Sequence, residues 1–152
     1  MPFATTLPRP DLDRGAAPSA TLGPGLDDEI HSWCSESFAA IQASWSSGSL
    51  PGLEPYVSTA LRGHLARELA ALRRDGLVNR VEEVRLLEVG LVSSDPHAPV
   101  IEIVFSARDW VADASSGSIV DGDPDRASSF RQRWYLLPHG PGRWLLDEVE
   151  PR

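Results

Sequence analysis

The sequence has no lysine, a single cysteine and no methionine after Met1. Cys34 cannot form an intrachain disulfide, so a disulfide-stapled secreted scaffold is excluded and a reducing, cytoplasmic setting is expected. No stretch approaches the ~18 apolar residues of a membrane-spanning helix. The opening MPFATTLPRP lacks the apolar run of a secretory signal. Positive charge is scarce: fourteen basic side chains, all arginine, stand against twenty-two acidic ones, for a net charge of −8. The sequence therefore supports neither nucleic-acid binding nor docking on anionic lipid through a basic patch, because both need clustered positive charge. Fingerprints of nucleophile or nucleotide chemistry are missing too. There is no G-x-S-x-G, and Gly23-Pro24-Gly25 is too short for a phosphate loop and holds a proline that removes a backbone donor.

What remains is one folded domain of ordinary composition, 41% apolar in 152 residues, preceded by a tail. Residues 1–25 carry Pro2, Pro8, Pro10, Pro18 and Pro24 with few large apolar groups. Such a segment cannot bury enough surface to offset its ordering entropy, and it reads as a flexible lead-in to a domain over 26–152.

Apolar periodicity predicts a first helix over Asp27–Trp45, with Ile30, Trp33, Cys34, Phe38, Ile41 and Trp45 on one face. The link Leu50–Tyr56, with Pro51 and Pro55, has room for one helical turn. A second helix is predicted from the N-cap Ser58 to Asp75, with Leu61, Leu65, Leu69 and Leu72 buried and Gly76 as a left-handed C-terminal cap. The period then changes to two, predicting strands over Arg80–Val92, Pro99–Ala112, Ser129–Leu137 and Trp144–Val149, with a short piece at Ser118–Val120. Helices grouped before strands indicate an α+β fold, N-terminal helices packed on one face of a curved antiparallel sheet.

Candidate chemistry is sparse. Asp121, Asp123 and Asp125 in DGDPD imitate the start of a calcium loop, but Arg126 stands where glycine is needed and Gln132 where a bidentate glutamate is needed. The segment reads as an acidic exposed loop. His64 and Glu68 share a helix face without the further ligands a zinc site requires, and His31, His97 and His139 are scattered. No metal and no cofactor are expected. Alternation puts Arg108 and Trp110 on one face of their strand and Asp109, Val111 and Asp113 on the other; Arg131 and Arg133 lie opposite Trp134 on a neighbouring strand. Arginines and carboxylates on adjacent strands would pair across the ladder, at about 0.2–1 kcal/mol each. The same Trp and Arg side chains are the types that anchor protein interfaces.

The order of elements resembles the nuclear-transport-factor-two-like superfamily, whose sheet wraps the helices into a cone. The segments WSSGSLPGLEPYVSTAL, LRRDGLVNRVEEVRLLEVGLV, DWVADASSG and FRQRWYLLPHGPGRWLLDEVE resemble a narrower family within it. This is the C-terminal domain of the forty-four-kilodalton subunit of the mitochondrial inner-membrane import translocase, with its bacterial relatives. Matching points include Trp45, Gly76, Asn79-Arg80-Val81, Asp109, Gly117, Trp134 and Gly142-Arg143-Trp144; Trp110 stands where the family usually has tyrosine. The resemblance implies a non-catalytic interaction or tethering module that binds a partner protein in protein transport. It also implies peripheral association with an inner membrane through that partner. The candidate binding residues, read from the cluster above and from Asn79-Arg80 after the Gly76 cap, are Asn79, Arg80, Arg108, Asp109, Trp110, Arg131 and Trp134. The alternative is an isomerase-like enzyme or small-molecule binder using the cone cavity, with Asp109 or Asp113 as its carboxylate. A filled cone favours the module, and a deep pocket beside a buried carboxylate favours the enzyme.

Overall fold

A computed structural model of the chain describes residues 24–152, so the lead-in expected over 1–25 lies outside the described residues except at its last two positions. Three helices, α1 (Pro24–Ser47), α2 (Leu50–Leu53) and α3 (Thr59–Arg74), precede four strands, β1 (Leu77–Ser93), β2 (Val100–Asp113), β3 (Ile119–Pro138) and β4 (Trp144–Pro151). The fold is the α+β arrangement predicted from the change of period.

Helix α1 begins at Pro24 rather than Asp27. Proline suits the first helical turn, where its missing N–H would find no intrahelical acceptor. The six apolar side chains expected on one face, from Ile30 to Trp45, are all buried. The link to α3 holds the single turn α2, capped by the Ser49 hydroxyl, which accepts from the Gly52 N–H. Helix α3 starts as its sequence dictates, with the Ser58 hydroxyl accepting the Leu61 N–H at 3.1 Å. It ends where Gly76 turns left-handed at φ 69°, its N–H bonded to the Arg73 carbonyl.

The strands form one open antiparallel sheet in the order β1-β2-β3-β4, each paired to its neighbour in the chain. Strand β1 starts at Leu77 rather than Arg80. The larger correction is β3, a continuous strand of 20 residues where two separate pieces and an acidic loop were expected. DGDPD lies inside it: Asp121 pairs with Val111, Gly122 with Trp110 and Asp123 with Asp109. Residues 124–127 then bulge opposite the single residue Arg108, since the next pair is Ala107 with Ser128. The bulge and its proline erase the period of two that would have revealed the strand.

The helices cover one face of the sheet. Phe38 of α1 meets Phe105 at 5.0 Å and Trp134 at 5.8 Å between ring centroids, Trp33 meets Trp134 edge-on at 6.4 Å, and Phe105 stacks on Phe130 at 5.3 Å. Each such pair adds about 0.5–1.5 kcal/mol beyond the area it buries. Ile101, Ile103 and Leu146 complete this layer, all fully buried. Val57, between α2 and α3, forms a parallel bridge to Leu146, so the interhelical link is stitched to the β4 edge.

Candidate functional site

The sequence-predicted residues separate by face. Register pairs Arg80 directly with Trp110 and Glu82 with Arg108 on the solvent side of β1 and β2, while Asn79 and Asp109 point beneath the helices. The alternation deduced for β2 is therefore the observed one.

On the inner face Asn79 is a junction. Its Nδ2 donates to Asp109 Oδ1 at 2.9 Å and to the Trp110 carbonyl at 3.0 Å, while its Oδ1 accepts the Trp45 indole N–H at 3.0 Å. One amide thereby fastens α1 to two strands, and the buried carboxylate of Asp109 is engaged by it. Trp134 is fully buried, its indole N–H donating to Gln132 Oε1 at 2.9 Å. Its place is the core, because it alternates with Arg131 and Arg133 and so faces the helices; it offers no ring to a partner. Gln132, fully buried, entered the sequence reading only as a failed calcium ligand, although the same alternation marks it as inward-facing.

On the outer face Arg108 is the hub. Its Nη2 lies 3.0 Å from Glu82 Oε2, its Nε lies 3.1 Å from Glu83 Oε2, and Nη1 donates to the Pro124 carbonyl at 2.7 Å. Two consecutive glutamates reach one arginine because β1 bulges there, with Glu83 at φ 52°. This guanidinium therefore holds both bulges. It also lies 5.9 Å from the half-buried Trp110 ring, a cation–π contact. Farther along the sheet, Arg131 donates to Glu102 at 2.9 Å, with Arg133 3.9 Å from the same carboxylate. Glu83 was invisible as a partner because the β1 bulge shifts the register there; Glu82 lies directly opposite Arg108, and Glu102 directly opposite Arg133. Arg80 is exposed and lines, with Asn79 and Trp45, a recess of about 150 Å³ at the ends of α1 and α3.

The other candidates serve the backbone. Asp113, at the rim of the sheet, accepts from Ser115 and Ser116, and these bonds lower its pKa to about 2. It shapes the β2–β3 turn and is not a buried acid. Asp121 and Asp123 accept from the Gly122 and Asp125 amides. His64 pairs with Glu68 at 3.3 Å. Among the described residues no three His, Cys, Asp or Glu side chains converge on a metal position. Burial pushes the Cys34 thiol up to about 12, which keeps it protonated and inert.

No helix among the described residues is long and apolar enough to cross a membrane. None of the curated proteins matches the sequence. Among solved structures, the intermembrane-space region of the chloroplast protein ARC6 superposes with a TM-score of 0.52 at 12% identity, covering 86% of this chain and 96% of that one. Aln2 from a Streptomyces species gives 0.47 at 14% identity, covering 87% and 94%. The likeness to ARC6 is one of fold: helices followed by an open antiparallel sheet, the nuclear-transport-factor-two-like architecture. Residues 28–151 match the model of the Tim44-like domain, from the first turns of α1 to the end of β4, and the chain belongs to that family.

Proposed function

We propose that this domain is a non-catalytic interaction or tethering module of a protein-transport complex, and that a partner protein docks on the solvent face of the sheet around Trp110. What supports this reading is the aromatic packing between the helices and the sheet, where Phe38 lies against both Phe105 and Trp134, all buried. Asp109, the best candidate for an acid or base, is bonded to Asn79 in a bracing network. On the outer face Trp110 is half-buried and backed by Arg108, so a rigid aromatic surface is presented at little entropic cost. Arg80, its cross-strand neighbour, supplies an exposed guanidinium beside it. Tim44-like domains belong to protein complexes at membranes, and the partner here would supply any peripheral membrane attachment.

The test is Trp110→Ala, read in two ways. Denaturant melts should show a loss below about 1.5 kcal/mol, against about 3–5 kcal/mol for a fully packed tryptophan. Capture of the partner from source lysate should fall sharply through a faster off-rate. A large stability loss with capture unchanged would remove Trp110 from the interface.

A further inference from the structure

We infer a second docking site, between α3 and the free edge of β4, that takes an arginine or lysine side chain projecting from an extended segment of a partner protein. It deepens the interaction reading but uses none of the residues around Trp110. The recess measures about 370 Å³ and is lined by Ala60, Leu61 and His64 of α3 and by Asp147, Glu148 and Val149 of β4. Its floor is apolar: Leu61 is buried, and Val149 is the cross-strand partner of Trp134. Its rim is acidic.

Those rim carboxylates differ from four of the other five glutamates on the sheet. Glu82, Glu83, Glu102 and Glu150 each meet an arginine of this chain. Asp147 and Glu148 have no side-chain hydrogen bond or ion pair among the described residues. His64, the cationic candidate in the recess, is held instead by Glu68. An aliphatic stem over Leu61 and Val149 with its cation between Asp147 and Glu148 matches the recess in shape and charge.

The strand edge explains why the side chain should come from extended backbone. Leu146 spends its outward N–H and C=O on the Tyr56 carbonyl and the Ser58 N–H, both at 2.8 Å. Beyond Leu146, β4 continues to Pro151 with no strand on its outer side among the described residues. An added segment would continue the pairing that residues 56–58 begin, and its side chains would enter the recess. A second copy of this chain is disfavoured, since pairing β4 with β4 would bring Asp147 and Glu148 toward their own duplicates. Nucleic acid and anionic lipid would be repelled by the same carboxylates.

The experiment titrates the isotope-labelled full chain with a capped hexapeptide of alternating valine and arginine, beside the same peptide with citrulline for arginine. Amide shifts should centre on residues 60–64 and 147–149. The citrulline peptide should bind about tenfold more weakly, as should the arginine peptide to an Asp147→Asn, Glu148→Gln variant whose melting is unchanged. Trp110→Ala should leave this binding intact, which separates the site from the sheet-face interface. The site is overturned by an absence of shifts at these amides up to about 1 mM peptide. Equal binding of the citrulline peptide, undiminished binding to the double variant, or loss of binding in Trp110→Ala would overturn it too.

Discussion

Asn79 of β1 and Asp109 of β2 are joined side chain to side chain at 2.9 Å, in the same buried amide that receives the Trp45 indole N–H. The sheet's interior acid is thereby committed to holding a helix in place. Asn79→Leu keeps the branched shape of the side chain, with bulkier methyls, and removes every one of these bonds. It should cost about 1–3 kcal/mol, because buried polar groups lose a partner that an apolar side chain cannot replace. Urea melts measure this directly. A midpoint equal to that of the parent would mean the amide is not a brace.

Two glycines with positive φ should respond differently to alanine. At Gly76, φ 69°, a Cβ would meet nothing within 4 Å, so Gly76→Ala should lose only the conformational preference, about 1 kcal/mol. At Gly122, φ 81°, a Cβ would collide with the Asp109 carbonyl oxygen and sit 2.7 Å from the Trp110 Cα. Backbone cannot rotate aside as a side chain does, so Gly122→Ala should cost about 2–4 kcal/mol. Equal melting shifts for the two variants would contradict the close crossing of β2 and β3.

Gln42 of α1 is almost wholly buried, and both amide atoms lack a hydrogen-bond partner among the described residues. Methionine fills a similar volume without the desolvation cost. Gln42→Met should therefore raise stability by about 1 kcal/mol, visible as a higher thermal midpoint. A lower midpoint would show that the amide does something that packing alone does not explain.

The Asp113 carboxyl titrates at about 2 when folded, against an ordinary value of 3.8, because the Ser115 hydroxyl and amide and the Ser116 amide hydrogen-bond its charged form. A depressed folded pKa means the turn's contribution is fully present above pH 3.8 and is lost as pH falls toward about 2. The melting difference between parent and Asp113→Ala should thus shrink across that interval and hold constant above it. A gap that stays constant down to pH 2 would mean the bonds do not discriminate the charged form.

Much of this arrangement was legible in the chain. Ser58 and Gly76 mark the ends of α3 because capping is local chemistry, and strict alternation put Trp110 and Asp109 on opposite faces of β2. The same alternation should have retired Trp134 from the binding set, since Arg131 and Arg133 face outward and the alternate positions, Gln132 and Trp134, therefore turn inward. Bulges were not legible. At Glu83 and at residues 124–127 the period breaks, which hid the continuity of β3 and the pairing of Glu83 with Arg108. The Trp45–Asn79–Asp109 contacts were out of reach for another reason: they join residues 34 and 30 positions apart, and no local pattern records which distant side chains meet.

The Val57–Leu146 bridge has a consequence for how the chain is made. Each hairpin pairs neighbours in sequence, so helices and early strands can assemble as they leave the ribosome. The fastening of the α2–α3 link to the sheet waits for Leu146, in the last strand. Until that residue emerges, β3 presents the backbone edge that β4 will cover, with Trp134 and Leu136 beside it. The nascent domain is therefore most exposed to chaperones and proteases just before its synthesis through β4 is done.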